Sequence, residues 1–232
     1  MKKITLLLLI SFFAVAFDGP PQKIKNKDKV RAFTVKDVFG EKLSLKKELK
    51  ENKKVLLVFL RHAWCPVCNA RTHDLKERYS LLQEKGIEVI VVYQSDEKTL
   101  AGFAKDYALP FRVISDKNEE LYDLYQMEKN QQKMLNDLAT NDHTKKKMAK
   151  GVKLYGKNEY TKYKKTADDE SKFYIPGDFL IDSKGQVDLA YYGKYLGDHL
   201  DLDEVLEYNA PTKAGSIAPA VEKQKAGQNA RF

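Results

Sequence analysis

The chain has 232 residues, 43% hydrophobic and 32% charged, which suits one folded core with room for an insertion or a tail. Its formal charge of +8 comes mainly from lysine, with only six arginines among 41 basic residues. Guanidinium forks are the usual tools for reading nucleic acid, so this balance argues against such a partner and for a solvated basic surface.

Met1-Lys2-Lys3 is a short positive region, residues 4–13 are mostly apolar, and Ala14-Val15-Ala16 places small residues where a signal peptidase reads. Residues 1–16 are therefore expected to be a signal peptide cleaved after Ala16, and the protein to be exported to the periplasm or another extracytoplasmic space. The apolar stretch is shorter than the roughly 20 residues a bilayer requires, so no permanent membrane span is expected. Residues 17–32 read as a flexible lead-in. Between 33 and 49 the alternation Phe33-Thr34-Val35, then Leu43-Ser44-Leu45, predicts a short strand or hairpin.

Residues 55–60 form a continuous apolar run, the pattern of a central strand covered on both faces. Trp64-Cys65-Pro66-Val67-Cys68 follows at once and contains the only two cysteines of the chain. A helical pattern runs from 68 to 85 and Gly86 caps it. A second buried strand over 87–93, a helix over 99–107, a short strand over 111–115 and a helix over 119–127 complete an alternation of strand and helix. That alternation predicts a mixed or parallel sheet with helices on both faces. Residues 178–182 and 187–192 flank Ser183-Lys184-Gly185 and predict a β-hairpin, and 201–208 a last helix.

Two stretches stand apart. Residues 129–172 carry twelve lysines against six acidic residues and read as a polar insertion with helical turns of its own, solvated and packing a few of its tyrosines on the core. Residues 209–232 read as a disordered tail.

A Cys-x-x-Cys at a strand-to-helix junction is a redox device with a mechanism. The first sulfur lies at the amino end of a helix, where free N–H groups and the helix dipole stabilise a thiolate. The second lies one turn deeper and can resolve a mixed disulfide on the first. Pro66 starts the helix without sacrificing a needed N–H. Arg61 and His62 are near enough to lower the Cys65 pKa, and Trp64 offers an apolar platform. So small a disulfide loop removes little unfolded-state entropy, which speaks against a structural staple.

The order strand, Trp-Cys-Pro-x-Cys, helix, strand, helix, strand, then Ile175-Pro176 before a hairpin resembles the thioredoxin superfamily over residues 33–208. The resemblance implies an α/β fold of three layers, a central mixed β-sheet flanked by helices. It also implies a cis-proline at Pro176 facing the cysteines and lining a groove in which an extended substrate segment could pair by strand addition. The run Phe173-Tyr174-Ile175-Pro176-Gly177-Asp178-Phe179-Leu180-Ile181-Asp182 is similar to the AhpC/TSA (peroxiredoxin-like) branch, and the lead-in Phe33-Thr34-Val35-Lys36-Asp37 is shared with disulfide reductases of the TlpA/ResA type.

The chain departs from both patterns. Peroxiredoxins carry Pro-x-x-x-Thr/Ser-x-x-Cys, and here Val58 and His62 stand at the proline and threonine positions. The later peroxiredoxin arginine is replaced around Pro176-Gly177, with Arg61 or Arg112 as possible spatial substitutes. Thioredoxins carry a buried acid six residues before the first cysteine, where this chain has Phe59.

The leading expectation is an exported thiol–disulfide oxidoreductase, with Cys65 as nucleophile and Cys68 as resolving thiol. Its redox-active disulfide would serve in place of any cofactor. The alternative is a peroxidase, in which Cys65 becomes a sulfenic acid and Cys68 condenses with it. The partners would be a protein or small-molecule disulfide, or a hydroperoxide, together with an electron donor the sequence does not name. His62-x-x-Cys65-x-x-Cys68-x4-His73 also offers four potential ligands for zinc or copper. On a strand–helix junction His62 and His73 diverge, so no metal is expected. Copper delivery would need a distant ligand such as His143 or His199, and these, with His73, read as surface histidines. A non-catalytic binding module is the remaining class.

Overall fold

The computed structural model describes residues 22–52, 54–166 and 173–208, with the backbone alone for 157–161 and 164–166. The signal-peptide and tail expectations lie outside the described residues.

Five strands form the main sheet in the order β5-β4-β3-β6-β7: β3 Lys54–Phe59, β4 Ile87–Tyr93, β5 Arg112–Ser115, β6 Gly177–Asp182 and β7 Val187–Tyr192. The β3–β4 and β4–β5 pairs are parallel, and the β3–β6 and β6–β7 pairs antiparallel, so the sheet is mixed. A small antiparallel hairpin, β1 Thr34–Lys36 and β2 Lys42–Ser44, precedes it.

Alternation along β3 divides the core. Leu56 and Val58 face one apolar layer with Leu75 of α2 (Pro66–Glu77) and Leu100 and Phe103 of α4 (Glu97–Asp106). Val55, Leu57 and Phe59 face the other, with Leu45 and Leu49 of α1 (Leu45–Glu51) and Leu121 of α5 (Glu120–Leu124). Each of these β3 side chains is fully buried, and each such burial stabilises the fold by about 1.5–3 kcal/mol. A strand covered on both faces has no polar side to offer, which is why it reads as an unbroken apolar run.

The helix expected over 68–85 divides at Arg78 into α2 and α3 (Tyr79–Glu84), and Gly86 at φ 72° turns the chain into β4. The described part of the lead-in, from residue 22, runs along the core. Ile24 is buried, the Lys27 N–H donates to the Val187 carbonyl at 2.7 Å, and Arg31 reaches the Gln22 carbonyl at 2.7 Å. Its lysines concealed Ile24 and Val30, which pack on the core.

The insertion forms two helices, α6 (Gln131–Thr140) and α7 (Asp142–Thr166), the latter kinked at Gly156. It packs on the α2 side of the sheet, where Met134, Tyr155 and Tyr163 are buried. A final helix, α8 (Leu202–Tyr208), packs on the same side through Leu202 and Val205. Among the described residues, no helix is long and apolar enough to cross a membrane.

Candidate active site

Beyond β3 the chain stays beside β4. The Leu60 N–H donates to the Val92 carbonyl at 2.9 Å and the Gln94 N–H to the Arg61 carbonyl at 2.8 Å. The Cys65 N–H closes a turn on the His62 carbonyl at 3.0 Å, and Ser95 Oγ accepts the Ala63 N–H at 3.1 Å. Cys65 then caps α2 with extended dihedrals, its Sγ accepting the Cys68 N–H at 3.4 Å, and Pro66 occupies the first helical turn. Cys68 Sγ accepts the Arg61 N–H at 3.4 Å, so the two sulfurs are held within one turn of each other. Both are free thiols.

Their environments push the pair apart. A hydrogen bond from the Cys68 thiol is the largest influence on Cys65; burial opposes it, and the Arg61 charge, the Cys68 N–H and His62 add to it. The net result lowers the Cys65 pKa to about 6. At Cys68, burial comes first, and the hydrogen bond to Cys65 and the charge there push the same way, so its thiol is held well above the ordinary value. One sulfur is ready as a thiolate while its neighbour keeps its proton.

Arg61, Trp64, Cys65 and Pro66 all border one apolar cavity of about 360 Å³. His62 is fully buried and stacks on Trp64, ring centroids 4.7 Å apart and ring planes nearly parallel. Pro176 is not among the residues bordering the cavity, and its peptide bond is trans, as are all those of the described residues. The backbone beside it is already committed. The Ile175 N–H donates to the Glu128 carbonyl at 2.9 Å, the Asn130 N–H to the Phe173 carbonyl at 2.7 Å, and Gly193 N–H to the Pro176 carbonyl at 2.8 Å. The expected cis-proline groove for strand addition is therefore corrected: the chain's own residues 128–130 fill that edge.

Arg112 is engaged elsewhere, 2.9 Å from Asp37, which leaves Arg61 as the arginine at the cysteines. His143 is exposed as expected, but the His199 side chain is buried, its Nδ1 3.1 Å from both oxygens of Asp178. Among the described residues, no group of three or more His, Cys, Asp or Glu side chains is placed to hold a metal.

Residues 27–190 match the AhpC/TSA family. The chain belongs to that family. It is 33% identical over 128 residues to the thiol-disulfide oxidoreductase ResA of Bacillus anthracis, a match covering 52% of this chain and 72% of the other. It is also 31% identical over 90 residues to the chloroplastic peroxiredoxin Q of Populus jackii, covering 39% and 41%. Among solved structures, peroxidoxin BcpB of Mycobacterium tuberculosis superposes with a TM-score of 0.58 at 14% identity, covering 80% of this chain and 96% of that one. The AhpC/TSA protein is thus a thiol-dependent oxidoreductase with a thioredoxin-like fold.

Within that family its departures have a structural form. Phe59 sits in an aromatic cluster with Tyr122 and Tyr125, each ring 5.2 Å away, and fills the place of the thioredoxin acid. Among the described residues, the carboxylate wholly shut from solvent is instead Asp178 on β6, opposite Val58 and held by Arg71 at 3.4 Å, His199 and the Leu200 N–H at 2.7 Å. Sequence reasoning missed this cluster because residues 71, 178 and 199 meet only through the fold. It also missed Leu138, Met148, Val152 and Leu196, which close the cavity opposite Cys65. The spacing of Met148, Val152 and Tyr155 at i, i+4 and i+7 was the available signal, hidden among lysines.

Proposed function

We propose that the protein catalyses thiol–disulfide exchange, with Cys65 as the attacking thiolate and Cys68 as the resolving thiol. The observation that carries this reading is the asymmetry of the pair, with Cys65 lowered to about 6 and Cys68 raised within the same helical turn. Cys65 thiolate attacks one sulfur of a substrate disulfide, forms a mixed disulfide and releases the other half as a thiolate. Cys68 then gives up its proton to that leaving group or to solvent and attacks Cys65 Sγ, releasing the second thiol. The substrate gains two electrons, the pair becomes a disulfide, and an external dithiol returns it to the reduced form. The likeness to ResA supports the same reading.

Peroxide reduction at Cys65 is the second reading, favoured by a small apolar cavity on the sulfur and by the likeness to peroxiredoxin Q. Against it stand His62 and Val58 where peroxiredoxins carry threonine and proline. We also propose export, on the charged, apolar and small-residue pattern of residues 1–16.

Removing the resolving thiol tests the exchange reading. Cys68→Ser should accumulate a mixed disulfide between Cys65 and a model disulfide, seen as an adduct by intact mass. A Cys68→Ser protein that forms no adduct while Cys65 remains alkylatable would overturn it.

A further inference from the structure

The cavity over Cys65 has two walls of different origin. One is the strand–helix junction that carries the cysteines. The other is the insertion, which contributes Leu138 from α6 and Met148 and Val152 from α7, with Leu196 from the loop before α8. Cys65 is only 3% exposed beneath them.

The insertion narrows the approach to the sulfur. At Gly151, α7 approaches α2 so closely that even a Cβ would lie 1.8 Å from the Pro66 carbonyl oxygen. Residues 128–130 occupy the edge beside Ile175 through main-chain hydrogen bonds, so an added strand has nothing to pair with there. What remains above the sulfur is a chamber of about 360 Å³, at the small end of ligand pockets, walled chiefly by hydrocarbon and with Arg61 as its charged member. A polar or charged group placed there would lose water without a matching set of partners, whereas an alkyl group would gain by leaving water.

We propose that this chamber is the subsite for the group attached to the attacked sulfur. It selects small disulfides with an apolar substituent, and Leu138, Met148 and Val152 set the preference. The proposal rests on the disulfide-exchange reading and names its substrate class. The chemistry is the two-step exchange described above. The chamber acts by holding the alkyl group so that its sulfur meets Cys65 Sγ.

The test uses the reduced full-length chain and the series dimethyl, diethyl and dipropyl disulfide, with bis(2-hydroxyethyl) disulfide as the hydrophilic probe. Each rate constant is divided by that of dithiothreitol with the same disulfide. Each added methylene in the chamber should raise the normalised rate constant by up to about fourfold, the hydrophilic probe falling below diethyl disulfide. Leu138→Asn and the nearly isosteric Val152→Thr should flatten the series, the second guarding against a folding defect in the first. A flat series in the unsubstituted protein, or an equally steep one in both variants, would overturn the proposal while leaving the exchange reading intact. Failure to react with every disulfide, with Cys65 still alkylatable, would instead overturn the exchange reading itself.

Discussion

With a pKa of about 6, Cys65 is mainly thiolate at neutral pH, and the cause is local: the Cys68 thiol donates to it, burial opposes, and the Arg61 charge assists. The rate of Cys65 alkylation by iodoacetamide, followed by mass spectrometry, should therefore rise with pH through a midpoint of about 6 and then level off. Because Arg61 stabilises the charged form, Arg61→Ala should move that midpoint upward and Arg61→Lys should largely restore it. A midpoint near the ordinary thiol value in the unsubstituted protein would contradict the asymmetry. Much of this was legible in the chain. A cysteine before Pro66 at the end of an apolar strand announces a helix cap, and neighbouring Arg61 and His62 announce a cation. The occupied strand edge beside Pro176 was not legible, because its partners at Glu128 and Gly193 are supplied only by the folded chain.

At the scale of elements, the α6–α7 insertion turns an open thioredoxin-like junction into a covered one. Its contact with α2 depends on the missing side chain of Gly151, whose Cβ would strike Pro66 backbone. Gly151→Ala should cost about 1–3 kcal/mol by overpacking. It should also raise the alkylation rate of Cys65, since α7 has to draw back from Pro66. Leu154→Ala, at a side chain 39% exposed on the same helix, should change stability by no more than about 0.5 kcal/mol and leave that rate alone. Equal alkylation rates in the Gly151→Ala and unsubstituted proteins would show that the insertion does not gate the thiol. Composition gave part of this, since the insertion does form helices and packs Tyr155 and Tyr163 on the core, but not the contribution of Met148 and Val152 to the cavity. The twelve lysines over 129–172 masked those two positions, because long amphipathic side chains can line the rim of a packed helix while its apolar residues face inward.

Across the whole molecule, the parallel–antiparallel sheet and its two apolar layers followed from strand and helix periodicity, since each buried strand advertises itself over a few residues. The ionic cluster under α2 did not. Arg71, Asp178 and His199 come from α2, β6 and the loop before α8, and together they tie the cysteine helix to the sheet. At Asp178, burial pushes the carboxyl pKa up, but His199, Arg71 and the Leu200 N–H outweigh it and leave it below the usual range. Burial is the main influence on His199 and lowers its pKa, so the imidazole is held neutral. Both groups bind protons more readily once unfolded. Their stabilisation is present above the unfolded histidine value of about 6.5 and is lost as the pH falls, first at His199 and then at Asp178. Melting temperature, measured with the thiols kept reduced, should fall below about pH 6.5. Asp178→Ala should cost about 3–5 kcal/mol at neutral pH, because Arg71 would be left buried without its counter-charge. A flat melting profile between pH 7 and 5 would remove the cluster from the account.

Trp64 is the only tryptophan, adjoins Cys65 and shares its cavity, so its fluorescence reports on that sulfur directly. The deciding measurement is stopped-flow Trp64 fluorescence of the reduced protein, mixed in turn with a small dialkyl disulfide and with hydrogen peroxide. Fast oxidation by the disulfide with a slow response to peroxide is the result expected of a disulfide-exchange enzyme. Oxidation much faster with peroxide would contradict it and make the protein a peroxidase.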